Sequence, residues 1–129
     1  MALWFPTVER ILRIHERVLE ESGGESGLMR RGSIEAAVVR ARDGPFPRED
    51  GTLWVRAAFL LRGIAQDHPF VDGNKRTAYE TAAVFLENNG VELDPSLDEA
   101  RDFMISVARA GKSIETIASW LSRNAGTSK

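Results

Sequence analysis

Residues 53–90 read LWVRAAFLLRGIAQDHPFVDGNKRTAYETAAVFLENNG, and this stretch decides the fold. Its first part, Leu53 to Gln66, carries Trp54, Ala57, Leu61, Ile64 and Ala65 at helical spacing, which predicts a helix with one face toward a core. The period breaks between His68 and Asn74, at Pro69 and Gly73. It resumes at once with Ala78, Thr81, Ala82, Phe85 and Leu86, and Gly90 supplies a C-terminal stop. Two core helices joined by a short polar loop are expected, the second starting at Asn74 or Lys75.

Working outward, the same period recurs on both sides. Val8, Ile11, Leu12, His15, Val18 and Leu19 predict a first amphipathic helix, opened near Pro6-Thr7 and closed at Gly23-Gly24. Ser22 to Gly32 is glycine-rich and reads as loop, and a shorter helix is expected from about Ser33 with Ile34, Ala37, Val38 and Ala41 on one face. Gly44 to Gly51, with Pro45, Pro47 and Asp50-Gly51, reads as a loop or hairpin-like flap. Downstream, Ser96 and Glu99 form a capping-box pattern that opens a fifth helix through Ala100, Phe103, Met104 and Val107 to Gly111. Ser113 caps a sixth helix with Ile114, Ile117, Ala118 and Leu121. No alternating strand pattern exceeds Val91-Glu92-Leu93. The expectation is an all-α, six-helix domain over residues 1–124, with a small polar tail, 125–129, that frays.

Composition agrees with such a domain. With 129 residues, 43% hydrophobic and 28% charged, the chain is long enough for one sizeable core and too apolar for wholesale disorder. Cysteine is absent, so neither disulfides nor thiolate metal sites enter. Met1 to Pro6 is too short for a secretory signal, and no run approaches a membrane span, so a soluble cytoplasmic protein is expected, with no membrane partner. The net charge of −2 argues against a nucleic-acid partner, which calls for a basic excess. Any anionic ligand must be held locally.

The loop before the second core helix offers such a hold. A helix start presents unpaired N–H groups and partial positive charge. Gly73 lets backbone approach an anion closely, because no Cβ intervenes. Lys75 and Arg76 place full positive charges in the first turn, at a cost of roughly 0.3–1 kcal/mol each that an anionic ligand would reverse. Asp72 adds a carboxylate of the kind that binds Mg²⁺ together with phosphates. His68 supplies an imidazole, a group able to take a proton from an attacking hydroxyl near neutral pH.

The run His68-Pro69-Phe70-Val71-Asp72-Gly73-Asn74-Lys75-Arg76-Thr77 resembles the signature of the Fic/Doc proteins, specifically the Doc (death-on-curing) toxin branch. The Fic pattern, His-Pro-Phe-x-(Asp/Glu)-Gly-Asn-Gly-Arg-x-x-Arg, is matched at His68, Pro69, Phe70, Asp72, Gly73, Asn74 and Arg76. It is not matched at Lys75 or Tyr79, and both departures resemble Doc. His15-Glu16, Gly23-Gly24 to Gly27-Leu28 and Gly32 to Ala37 extend the resemblance, which covers most of residues 8–90. It implies a general base in His68, a Mg²⁺ ligand in Asp72, and phosphate contacts from Asn74 and the amides of Gly73 and Lys75. Arg76 would brace the transferring group, with Lys75 beside it, while Phe70 would anchor the loop in the core. The Gly44–Gly51 segment would be the flap that positions a target peptide.

In Fic-type AMP transfer the final arginine orients the nucleotide, and Tyr79 cannot supply that cation. The Doc branch uses ATP in the opposite sense and phosphorylates elongation factor Tu. The resemblance therefore implies a kinase dependent on ATP and Mg²⁺, with AMP transfer to a protein hydroxyl as the alternative. No Ser/Thr-x-x-x-Glu-(Gly/Asn) inhibitory helix is present, and a separate antitoxin is the expected restraint. A non-catalytic helical binding module and a nucleic-acid-binding toxin are the readings from other classes. Plainer roles are expected elsewhere: packing for His15, Trp4, Trp54 and Trp120, an intrahelical ion pair with Arg76 for Glu80, and solvation for Glu49 and Asp50.

Overall fold

The computed structural model describes residues 2–46 and 52–126. Among these, α1 spans Val8–Ser22, α2 Arg31–Asp43, α3 Leu53–Asp67, α4 Asn74–Glu87, α5 Leu97–Ala110 and α6 Ile114–Arg123. The two-residue strands β1 (Glu92–Leu93) and β2 (Ala125–Gly126) pair antiparallel. The all-α expectation holds.

Side-chain caps start four of these helices. Thr7, Thr52, Ser96 and Ser113 each accept an N–H from three residues on, and Ser96 with Glu99 completes the reciprocal capping box. Neither α2 nor α4 has a side-chain cap. Both starts are instead set by the loop that carries the signature. This explains why α2 begins at Arg31, before the expected Ser33. Met29 and Arg30 donate their N–H groups to the Pro69 carbonyl at 2.7 and 3.0 Å, so a tertiary contact delivers the chain into the helix.

Helix α3 is the axle of the molecule, packed against α2, α4, α5 and α6. Its buried set is Val55, Ala57, Ala58, Phe59, Leu60, Leu61, Ile64 and Ala65, wider than one amphipathic face, as expected of a helix enclosed on several sides. Close approach to α2 depends on Gly63, where an added Cβ would stand 2.9 Å from the Ala37 Cβ. Phe85 and Leu86 of α4 and Ile11 of α1 complete the core that carries the α3–α4 loop, and Phe5 lies 5.3 Å from Phe85, ring centre to ring centre.

The expected fraying after Asn124 does not apply to the next two residues. Ala125 pairs with Leu93 and Gly126 with Glu92, and the Asp94 N–H donates to the Asn124 carbonyl at 2.8 Å. Backbone groups pair whatever the side chain, so small polar residues hide such a contact. Residues 127–129 lie outside the described part, as do 47–51, which hold most of the expected flap with Glu49 and Asp50. The flap's first residues are described: Gly44 caps α2, and the Phe46 ring lies 4.5 Å beneath the Arg56 guanidinium.

Because Phe85 is fully enclosed, Phe85→Ala is expected to lower the unfolding free energy by about 3–5 kcal/mol, read from urea denaturation.

Candidate active site

The site is built where α3 ends. His68 caps α3 in the left-handed region, with φ 50° and ψ 61°, and its N–H donates to the Ile64 carbonyl. It is the one described non-glycine residue with positive φ, a conformation that persists only where surrounding contacts hold it. The Arg30 guanidinium provides such a contact, donating through Nη1 to the carbonyls of Asp67 (3.2 Å) and His68 (2.9 Å). His68 is exposed, not turned into the core.

Beyond His68 the chain runs beside the α1–α2 connection. Pro69 accepts from Met29 and Arg30, Leu28 and Phe70 form an antiparallel bridge, and the Val71 N–H donates to Gly27 at 3.0 Å. Gly27 sits at φ 147°, and an added Cβ would lie 2.6 Å from Val71 Cγ2, so only glycine fits. The glycine-rich stretch is therefore a clamp over the signature loop, with glycines where the two chains touch.

Phe70 is 1% exposed and anchors the loop as expected. Its two backbone groups are satisfied by a single side chain: the Phe70 N–H donates to Asn74 Oδ1 at 3.0 Å, and Asn74 Nδ2 donates to the Phe70 carbonyl at 2.9 Å. These bonds place Asn74 at the turn between the buried Phe70 and the start of the following helix. Its Oδ1 and one Nδ2 hydrogen are engaged within the protein, while the second Nδ2 hydrogen and the backbone N–H remain as donors.

Helix α4 starts from Gly73, whose φ of 80° is left-handed. Thr77 is the first residue whose N–H is taken, by the Gly73 carbonyl, so the amides of Asn74, Lys75 and Arg76 form the open positive end. Lys75 is exposed and has no ion-pair partner among the described residues. Arg76 is held by two carboxylates, Glu80 at 3.1 Å, as read from the i, i+4 spacing, and Glu21 of α1 at 3.0 Å. All three side chains are at least one-third exposed, so these pairs are weak and a polyphosphate can compete for the arginine.

Asp72 is exposed, with Oδ2 accepting the Glu25 N–H at 2.9 Å. Among the described residues no three His, Asp or Glu groups are placed to hold a metal together. The single carboxylate of Asp72 fits an ion whose shell is completed by phosphates and water, as Mg²⁺ requires. Next to the start of α4 lies a groove of about 480 Å³, bordered by Val18, Gly23, Lys75, Tyr79, Leu97 and Met104. Burial, with Glu80 and Asp94 nearby, pushes the Tyr79 phenol up to about 12, so it faces the groove uncharged.

Two contributors escaped the sequence reading, Arg30 and Glu21. Nothing in their spacing marks them, because their partners lie 37 and 55 residues away. His15, read as a packing residue, does pack, stacked on Phe70 at 3.7 Å, and also meets the Asp72 carbonyl at 2.8 Å through Nε2.

An exposed imidazole, a lone carboxylate and an open helix start bearing two cations are the parts of a phosphoryl- or nucleotidyl-transfer centre. The Fic/DOC family description matches residues 5–86, and the chain belongs to that family, a class of nucleotide-dependent protein transferases. It is similar to "Toxin Doc" of Mycolicibacterium smegmatis, 41% identical over 106 residues covering 77% of this chain and 78% of the relative. It is also similar to "Protein kinase doc" of Escherichia phage P1, 31% identical over 121 residues covering 94% and 95%.

Asn74→Ala is expected to strand the buried Phe70 N–H and C=O, at about 1–3 kcal/mol for each group, and to weaken nucleotide binding. Denaturation and titration calorimetry read the two effects separately.

Proposed function

We propose that this chain is a Doc-type toxin kinase that transfers the γ-phosphate of ATP, with Mg²⁺, to a Ser or Thr hydroxyl of a translation factor. The observation that carries the reading is an exposed His68 on the same short loop that leads into the open start of α4 with Lys75 and Arg76. The kinase sense is supported by Lys75 and Tyr79 standing where AMP transferases have glycine and arginine. The neutral phenol of Tyr79 offers no charge to orient an α-phosphate. It is further supported by likeness over most of the chain to a relative named as a protein kinase. Elongation factor Tu as substrate follows from the resemblance to the Doc branch, and so do action in the cytoplasm and restraint by an antitoxin. Among the described residues no helix is long and apolar enough to cross a membrane.

In the proposed reaction the target hydroxyl oxygen attacks the γ-phosphorus, and the bond from that phosphorus to the β,γ-bridging oxygen breaks. His68 takes the hydroxyl proton, the phosphate monoester forms on the target, and ADP leaves. The amides of Gly73 and Lys75 and the side chains of Lys75 and Arg76 meet the charge spread over the phosphate oxygens. When bound, Mg²⁺ on Asp72 would neutralise part of that charge.

Elongation factor Tu offered ATP labelled at the γ or the α position is expected to gain γ-label only. His68→Ala should cut transfer by roughly 10²–10⁴-fold while ATP still binds. Transfer of α-label instead makes the chain an AMP transferase. A growth arrest that survives His68→Ala makes it a non-catalytic binding module.

A further inference from the structure

His15 is 5% exposed, lies on the inner side of α1, and takes no part in the proposed chemistry. We infer that it is a positioning residue that aims the Gly73 N–H at bound phosphate, acting through the carbonyl of Asp72. The inference rests on the phosphate-binding role proposed above for the start of α4.

Three observations carry it. The imidazole lies flat on the Phe70 ring, with 6° between the planes and 3.7 Å between centres, so the plane in which its edge lies is fixed. That edge brings Nε2 to 2.8 Å from the Asp72 oxygen. A carbonyl oxygen only accepts, so Nε2 carries a hydrogen. Finally, α1 lies close against the next residue: a Cβ added to Gly73 would stand 3.4 to 3.6 Å from Leu19, Val18 and His15 Cδ2.

The consequence follows from the geometry of one peptide. In a trans peptide the C=O and the following N–H point in opposite directions. Holding the Asp72 oxygen toward α1 turns the Gly73 N–H away from it. That N–H has no hydrogen-bond acceptor among the described residues. Glycine at position 73 is needed for its φ of 80°, but it also makes the 72–73 peptide easy to flip. A flipped peptide would present its carbonyl to the anion in place of its N–H. The histidine blocks that flip, and a buried apolar ring in its place would not.

Three variants separate the hydrogen bond from the packing. His15→Phe keeps a flat ring on Phe70 and removes the donor, His15→Gln keeps a donor without the ring, and His15→Ala removes both. With ATP as the probe, His15→Phe is expected to melt near the wild-type temperature yet bind about tenfold more weakly, with KM for ATP raised more than kcat falls. His15→Gln is expected to regain much of the affinity and His15→Ala to be the weakest. In ¹⁵N spectra the wild-type imidazole should show hydrogen on Nε2. The Gly73 amide peak should shift on adding ATP in the wild type and in His15→Gln, but not in His15→Phe.

Wild-type ATP affinity and an unchanged Gly73 response in His15→Phe would overturn the inference while leaving the proposed function intact. So would an imidazole protonated on Nδ1 alone. If His15→Phe does not fold, the Gln variant decides: lost affinity there refutes the role of the donor, and retained affinity supports it. A wild-type protein that binds no ATP removes the proposed function and this inference together.

Discussion

Burying Phe70 is the constraint on which the rest of the structure depends. An aromatic ring inside the core gains a large apolar contact, but it carries its own N–H and C=O into a region where unpaired polar groups are costly. Asn74 answers both with one carboxamide, and that pairing bends the chain so that a helix must begin at residue 74. The left-handed cap at His68 and the left-handed cap at Gly73 lie on either side of this buried residue. What faces solvent there, the imidazole on one side and the open amides on the other, is positioned by what faces the core between them.

The electrostatics of the site follow from the same turn. Cations in the first turn of a helix oppose its dipole, and α4 has two there with no acidic residue in that turn. The protein compensates one of the two. Arg76 is drawn back by Glu80 along its own helix and by Glu21 across from α1, whereas Lys75 is left to solvent. Both ion pairs are exposed enough to exchange for a more highly charged partner. The Asp72 carboxylate is oriented by the Glu25 N–H through one oxygen, which leaves the other for a cation. A short loop thus holds charges of both signs close together.

Much of this was legible beforehand because it is written in short-range terms. Helical periodicity, the Ser96–Glu99 capping box, the turn at Pro69 and Gly73, and the Arg76–Glu80 pair all involve residues within about one helical turn. The wide burial of α3 was read only in part. Periodicity reports one face, and enclosure by four other helices is a property of the assembled fold.

By itself, the sequence determined the six helices and the signature run that gives the family, since both rest on side-chain identity at fixed spacing. Only the tertiary structure decided that residues 24–30 clamp the signature loop, that Arg30 holds the His68 turn, that Glu21 reaches Arg76, and that Ala125–Gly126 pair with Glu92–Leu93. It also decided that His15 is bonded to the loop it packs against. The reason is physical: most of these contacts are made by, or to, backbone N–H and C=O groups that every residue carries. Such groups leave no side-chain trace until folding brings distant segments within hydrogen-bond reach.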